Sequence, residues 1–220
     1  MIAKAMESDF GSNPEILVFA SGVSNSNETA PEPFNREKTL LEHCLAKRTR
    51  IVYFSTCSIE DPALKFSRYV RHKLEMEALL LERGNCAIYR LPQVVGLTAN
   101  RNTLTNYLYN CVKEGTPFQL WSDAKRYLID VHHVSKIISH VEKSRGANLV
   151  MNIAPQDSVK ISHIVDIFED FLNKKANYTT APMGGCYKLN IDRCQIAAEA
   201  LGIDLKYDYA KKCLEKYYGH

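Results

Sequence analysis

Short runs of contiguous apolar residues alternate, over the first hundred positions, with longer stretches in which apolar residues return every three or four places. Ile16-Leu17-Val18-Phe19 and Ile51-Val52-Tyr53-Phe54 are unbroken apolar runs, as expected of strands covered on both faces. REKTLLEHCLAKR (36–48) and RYVRHKLEMEALLLERG (68–84) read as helices, and CAIYRLPQVVG (86–96) reads as a further strand. This β-α-β-α-β rhythm predicts a parallel sheet with helices on both faces. In the helix 68–83, Val70, Leu74, Ala78 and Leu81 step by four, four and three; they predict its buried stripe, with Gly84 as its stop.

After Gly96 the texture becomes polar and rich in Asn and Thr (TANRNTLTNYLYN), which marks where the chain leaves the sheet. YLIDV then reads as a strand, HHVSKIISHVEK as a helix, NLVMNIAP as a last strand of the sheet, and SVKISHIVDIFEDFLNKK as an amphipathic helix. The expected division is a core over 1–96 and a lobe over 97–220, with about 126–155 returning a helix and a strand to the core. No internal repeat or low-complexity tract is present.

Composition narrows the partners. With 220 residues, 45% hydrophobic and 24% charged, the chain can bury one substantial core. The formal charge of +3 is spread without a basic block, which predicts a small-molecule partner and neither nucleic acid nor a membrane surface. Seven cysteines, none at C-x-x-C spacing, read as reduced thiols with no metal site. MIAKAMESDF has neither the basic nor the apolar region of a signal peptide, and no apolar run approaches a membrane span, so the expected compartment is the cytoplasm.

The candidate chemistry is Tyr69-x-x-x-Lys73. On a helix this spacing stacks phenol and ammonium on one face. A phenol with a pKa of about 10 needs roughly 4 kcal/mol of preference for phenolate to work at neutral pH, and a unit charge about 4 Å away at a dielectric of about 20 contributes that much. Tyr207 and Lys211 repeat the spacing, so the pair is weak evidence alone. Context favours Tyr69, because it follows a strand ending in Ser55-Thr56, whose hydroxyls emerge at the edge where open α/β sheets bind ligands. Thr56 can polarise a carbonyl or hydroxyl there, or simply cap a turn.

The blocks 51–56, Tyr69-x-x-x-Lys73, 88–96 (IYRLPQVVG) and 126–131 (RYLIDV), in this order, resemble the extended short-chain dehydrogenases, and within them the NAD-dependent epimerase/dehydratase family acting on nucleotide sugars. The resemblance implies an α/β fold: a Rossmann-like, mostly parallel sheet, shortened by its first strand, with a small C-terminal substrate lobe. It implies Thr56, Tyr69 and Lys73 as the catalytic trio, with Lys73 also a ligand of the nicotinamide ribose. It implies contacts to the cofactor, NAD or NADP, from Ala3, Ala20, Ser21, Gly22, Ser55, Pro92, Gln93 and Val94. Gln93, Asn102 and Arg126 are implied to join Thr56 in holding a nucleotide-linked sugar, and a homodimer is implied to pack through two helices per subunit, one carrying Tyr69.

Three departures qualify the pattern. The family's Gly-rich turn is absent, and Met1–Ala5 looks like the helix that follows such a turn, so the chain reads as starting one strand late. Glu15–Gly22 follows this helix almost at once, where the family usually inserts two more strand and helix units, so the usual acidic or basic reader of the adenosine ribose is missing and NAD and NADP stay undistinguished. Thr56 and Tyr69 also stand closer in sequence than in most members. Dehydratases carry Asp-Glu after the Thr; Cys57-Ser58 here favours reduction or epimerisation. The competing expectation is a degenerate, cofactor-free member serving as a binding or scaffolding subunit. His132-His133 reads as surface or capping, and Cys57 as a buried thiol.

Overall fold

The computed structural model describes every residue except Arg48, Arg145, Ala147 and His220. Four parallel strands form the central sheet: β1 (Ile16–Phe19), β2 (Arg50–Thr56), β3 (Cys86–Leu91) and β8 (Leu149–Asn152), in the order β1-β2-β3-β8. Helix α1 (Ile2–Phe10) precedes β1; α2 (Pro31–Leu45) links β1 to β2, and α3 (Arg68–Arg83) links β2 to β3. The apolar runs make central strands for the expected reason: neighbouring residues serve opposite faces. Ile51 and Tyr53 pack with Leu41 of α2 and with Met76 and Leu80 of α3. Val52, between them, belongs to the larger core on the other face.

That larger core is built by α1 and by the elements after the sheet's third strand. These are α4 (Leu104–Glu114), α5 (Val131–Lys143), α6 (Ile161–Leu172), α7 (Asp192–Ala200) and α8 (Tyr209–Tyr218). Three two-stranded ribbons complete the fold. β4 (Gln93–Val95) pairs in parallel with β7 (Leu128–Asp130), β5 (Phe118–Trp121) pairs in parallel with β10 (Tyr178–Ala181), and β6 (Lys125–Arg126) pairs antiparallel with β9 (Val159–Lys160). Among the described residues no helix is long and apolar enough to cross a membrane.

Several local expectations change. The single strand read over 86–96 is two strands, because Pro92 has no N–H for the sheet; Gln93 then donates its amide to the Tyr127 carbonyl and opens a separate ribbon. The Asn- and Thr-rich passage hides α4, whose Leu108, Cys111 and Val112 are buried. Helix α2 begins at Pro31, five residues before the expected start, since proline is well suited to a first helical turn. Helix α3 has the expected bounds and ends at Gly84 with φ +79°, but of the expected stripe only Val70 is buried, while Leu74, Ala78 and Leu81 are exposed. The buried face carries Tyr69, Val70, His72, Lys73, Met76, Glu77 and Leu80.

Candidate active site

The parallel strands β1, β2 and β3 point the same way, so their C-terminal ends form one edge, lined by Ala20–Gly22, Ser55–Thr56 and the Leu91–Gln93 junction. Thr56 ends β2 and its hydroxyl accepts from the Ser58 amide at 3.1 Å, capping the short 3₁₀ turn Cys57–Glu60. The capping role weighed from the sequence is therefore present. The same hydroxyl lies close enough to the Tyr69 phenol to oppose the rise in its pKa.

Ser67 positions Tyr69 by capping α3: its side chain accepts from the Val70 amide at 3.1 Å. Tyr69 packs with Val23, Phe34 and Val70, flanked by Ile59 and Leu64. Lys73, one turn on, is 2% exposed, and its Nζ stands 5.9 Å from the Tyr69 ring centre and 5.1 Å from that of Tyr53. It donates to Glu37 Oε1 at 2.9 Å, Tyr53 OH at 3.2 Å and the Phe54 carbonyl at 3.4 Å.

Glu37, from α2, was not foreseen. It has no exposed surface, and its carboxylate accepts from the Val23 amide (2.7 Å), Tyr53 OH (2.6 Å), His72 Nε2 (3.0 Å) and Lys73. Burial alone would raise its pKa; His72, Lys73, Tyr53 and Val23 together outweigh burial and hold it at about 2. A signal for it existed, since Phe34, Glu37 and Leu41 share helical spacing and set a carboxylate on the apolar face of α2.

The electrostatics differ from the one-lysine expectation. Burial pushes Tyr69 up to about 12; the Thr56 hydroxyl works against this, and the Glu37 charge adds to it. The ammonium expected to acidify the phenol is paired with Glu37, whose own charge acts on Tyr69 in the opposite sense. Burial likewise pushes Lys73 down, while Glu37 pulls it back toward the charged form.

Other expected contributors fall at different distances from this cluster. Gly22 borders it: a Cβ there would come within 2.7 Å of Lys73 Nζ and 2.8 Å of Glu37 Oε1, so a larger residue would have to displace that ion pair. Ser55 Oγ is buried without a hydrogen-bond partner. Ala20 and Ser21 are exposed beyond β1, and Pro92, Gln93 and Val94 are half-buried at the β3–β4 junction. Arg126 is half-buried in β6 and donates to the Lys125 carbonyl; it and Cys57 both lie within electrostatic reach of Tyr187, which ties β6 to this end of the sheet. Ala3 is exposed on α1 and Asn102 in the turn before α4, and neither takes part in the network around Lys73.

The remaining candidates have local roles. Cys57 donates to the Arg90 carbonyl at 3.2 Å, and burial pushes its thiol well up, away from a reactive thiolate. Tyr207 is 80% exposed in the turn before α8, so the second Tyr-x-x-x-Lys spacing does not share one helix. His133 Nδ1 pairs with Tyr209 OH at 2.8 Å, and among the described residues no group of His, Cys, Asp or Glu could hold a metal.

No protein-family model and no curated protein sequence matches the chain. Solved structures do match its fold. The UDP-glucuronic acid 4-epimerase from Bacillus cereus, solved with UDP-glucuronic acid and NAD, superposes with a TM-score of 0.74 at 16% identity, over 99% of this chain and 78% of that one. A UDP-galactose 4-epimerase gives 0.73 at 14% identity, over 97% and 79%. MoeE5, solved with UDP-glucuronic acid and NAD, gives 0.72 at 17% identity, over 94% and 78%. By this likeness the chain has the Rossmann-type α/β fold that these solved structures share.

Proposed function

We propose that this chain carries the reaction centre of an NAD(P)-dependent oxidoreductase or epimerase acting on a nucleotide-linked sugar. In this reading Thr56 polarises the sugar oxygen, Tyr69 moves its proton, and Lys73 supplies the neighbouring cation. Residues 97–220 supply most of the substrate lobe, with 126–155 belonging to the core and Arg126 near the diphosphate. The observation that carries the proposal is the meeting of Thr56, Tyr69 and Lys73 at the C-terminal edge of β2. They do so in a fold whose solved examples hold UDP-sugars and NAD.

The residues fit the nicotinamide end of the cofactor. Ser55 Oγ is a buried polar atom in want of a partner, and Gly22 keeps the β1 loop close beside Lys73. Ser55, Tyr69 and Lys73 would hold the nicotinamide riboside, with Pro92–Val94 beside it. When bound, nicotinamide supplies hydride transfer to or from a sugar carbon. The buried Tyr69 keeps its proton in this environment, which suits it to donate to the oxygen of a carbonyl being reduced; taking a proton from an alcohol requires the phenolate, which burial disfavours. Thr56 orients that oxygen.

Fluorescence titration of NADH and of NADPH, each with and without UDP-glucose or UDP-glucuronic acid, tests the proposal. Saturable binding of at least one dinucleotide, tightened by a UDP-sugar, is expected. Binding of neither form would leave the second reading, a cofactor-free subunit that binds or scaffolds a partner. That reading is favoured by one observation, the burial of Thr56, Tyr69 and Lys73 at 6%, 7% and 2% exposure.

The outward stripe of α3 supports a homodimer as part of the same reading. Leu74 is 41% exposed and Leu81 39%, and Leu40 of the adjacent α2 is 41% exposed, so apolar side chains of both helices face solvent together. In sedimentation velocity the wild-type protein is expected to run as a dimer at micromolar concentration. The double variant Leu74→Glu, Leu81→Glu is expected to run as a folded monomer; a monomeric wild type would remove the dimer from the proposal.

A further inference from the structure

We propose that Glu37 is a positioning residue of this site: its carboxylate keeps Lys73 charged and fixed between the rings of Tyr53 and Tyr69. The operating unit is then Glu37–Lys73–Tyr69 rather than a lysine–tyrosine pair. The inference rests on the proposed role of Tyr69 and Lys73, yet its test can be read without any substrate.

Three observations converge on it. First, Glu37 occupies a core position of α2, where an apolar residue would cost nothing; a wholly buried carboxylate persists only when its desolvation is offset by close, well-directed partners. It has four, contributed by the loop after β1 (Val23), by β2 (Tyr53) and by α3 (His72 and Lys73). Second, Lys73 is 2% exposed, and Glu37 is its nearest counter-charge. Third, Gly22 lets the β1 loop touch both Lys73 Nζ and Glu37 Oε1, so the ion pair lies against the ligand-binding edge of the sheet and not in a remote part of the core.

The groups facing Lys73 are Glu37 from α2, the Tyr53 hydroxyl and Phe54 carbonyl from β2, and Tyr69, along its own helix, with Glu77 within electrostatic reach. Only the two carboxylates oppose its charge, and Glu77 is engaged at 2.7 Å by Arg90. Removing Glu37 therefore leaves an ammonium buried among neutral groups. Such a group gives up its proton or moves toward water, and either change takes the cation from the phenol.

The experiment is the pH titration of the lysine Cε resonances by ¹³C NMR on the full chain, with Lys73 identified by the signal lost in Lys73→Met. In Glu37→Gln the Lys73 midpoint is expected to move to lower pH, and Glu37→Asp is expected to restore it in part. An unchanged midpoint in a folded Glu37→Gln protein would overturn the proposal. If Glu37→Gln does not fold, the double variant Glu37→Gln, Lys73→Met carries the test. It is expected to fold and to be more stable than either single variant, because no unmatched charge remains; a double variant no more stable than the singles refutes the pairing. A shifted midpoint in a protein that binds neither NADH nor NADPH would retain the Glu37–Lys73 pair and reject the proposed reaction, so the two failures are distinguishable.

Discussion

Tyr69→Phe is expected to fold normally and to lose turnover on a nucleotide sugar by a factor of about 10² to 10⁴, the range spanned by positioned proton-transfer groups. The ring itself is structural: it fills a small cluster with Val23, Phe34 and Val70, and phenylalanine fills the same space. The substitution removes one hydroxyl, and losing a single polar contact costs about 1 kcal/mol of stability. Thermal melting should therefore stay within a few degrees of wild type while kcat collapses. Dinucleotide affinity should change less than kcat, because the lost group acts mainly on the sugar oxygen in the transition state and shares the nicotinamide riboside with Ser55 and Lys73. Activity within a few-fold of wild type would take Tyr69 out of the chemistry and leave it as a packing residue.

The same helix shows what the sequence could and could not disclose. The extent of α3, its stop at Gly84 and its place between two buried strands follow from local pattern. Which face it buries does not, because the deciding residues are charged ones paired across the chain. Lys73 is buried against Glu37, and Glu77 against Arg90, which also reaches Glu60. Hydrophobic periodicity counts such residues as solvent-facing, and so assigned the interior to Leu74, Ala78 and Leu81. Once paired, Lys73 and Glu77 can lie inward, and the leucines are left for an outer surface.

The candidate site was legible in a similarly partial way. Strand, turn and helix sufficed to place Thr56 at the end of β2 and Tyr69 and Lys73 one turn apart on α3. The acidity of the phenol was misjudged, because that estimate placed one positive charge beside Tyr69 and no negative one. Glu37 arrives from a different helix, and only its position between Phe34 and Leu41 hinted that it points inward.

Arg50→Met is expected to lower unfolding free energy by about 3–5 kcal/mol, the usual cost of removing one partner of a buried ion pair. For a chain of this size that corresponds to a fall of roughly 10 °C in melting temperature. Arg50 opens β2 and is 5% exposed; its Nε donates to Glu142 Oε2 at 2.6 Å, and Glu142 also accepts from Tyr89 OH at 2.7 Å. Methionine fills comparable space without a charge and leaves the Glu142 carboxylate 3% exposed with its main counter-charge gone. Because Arg50 and Thr56 sit at opposite ends of the same strand, the loss should appear in stability and not in the kinetics of the folded protein. Adding Glu142→Gln should return most of the stability: it discharges the carboxylate and keeps an oxygen to accept from Tyr89. A single variant within about 1 kcal/mol of wild type in urea unfolding, or a double variant no better than the single, would show that the strand is anchored at this end by packing and not by the charge pair.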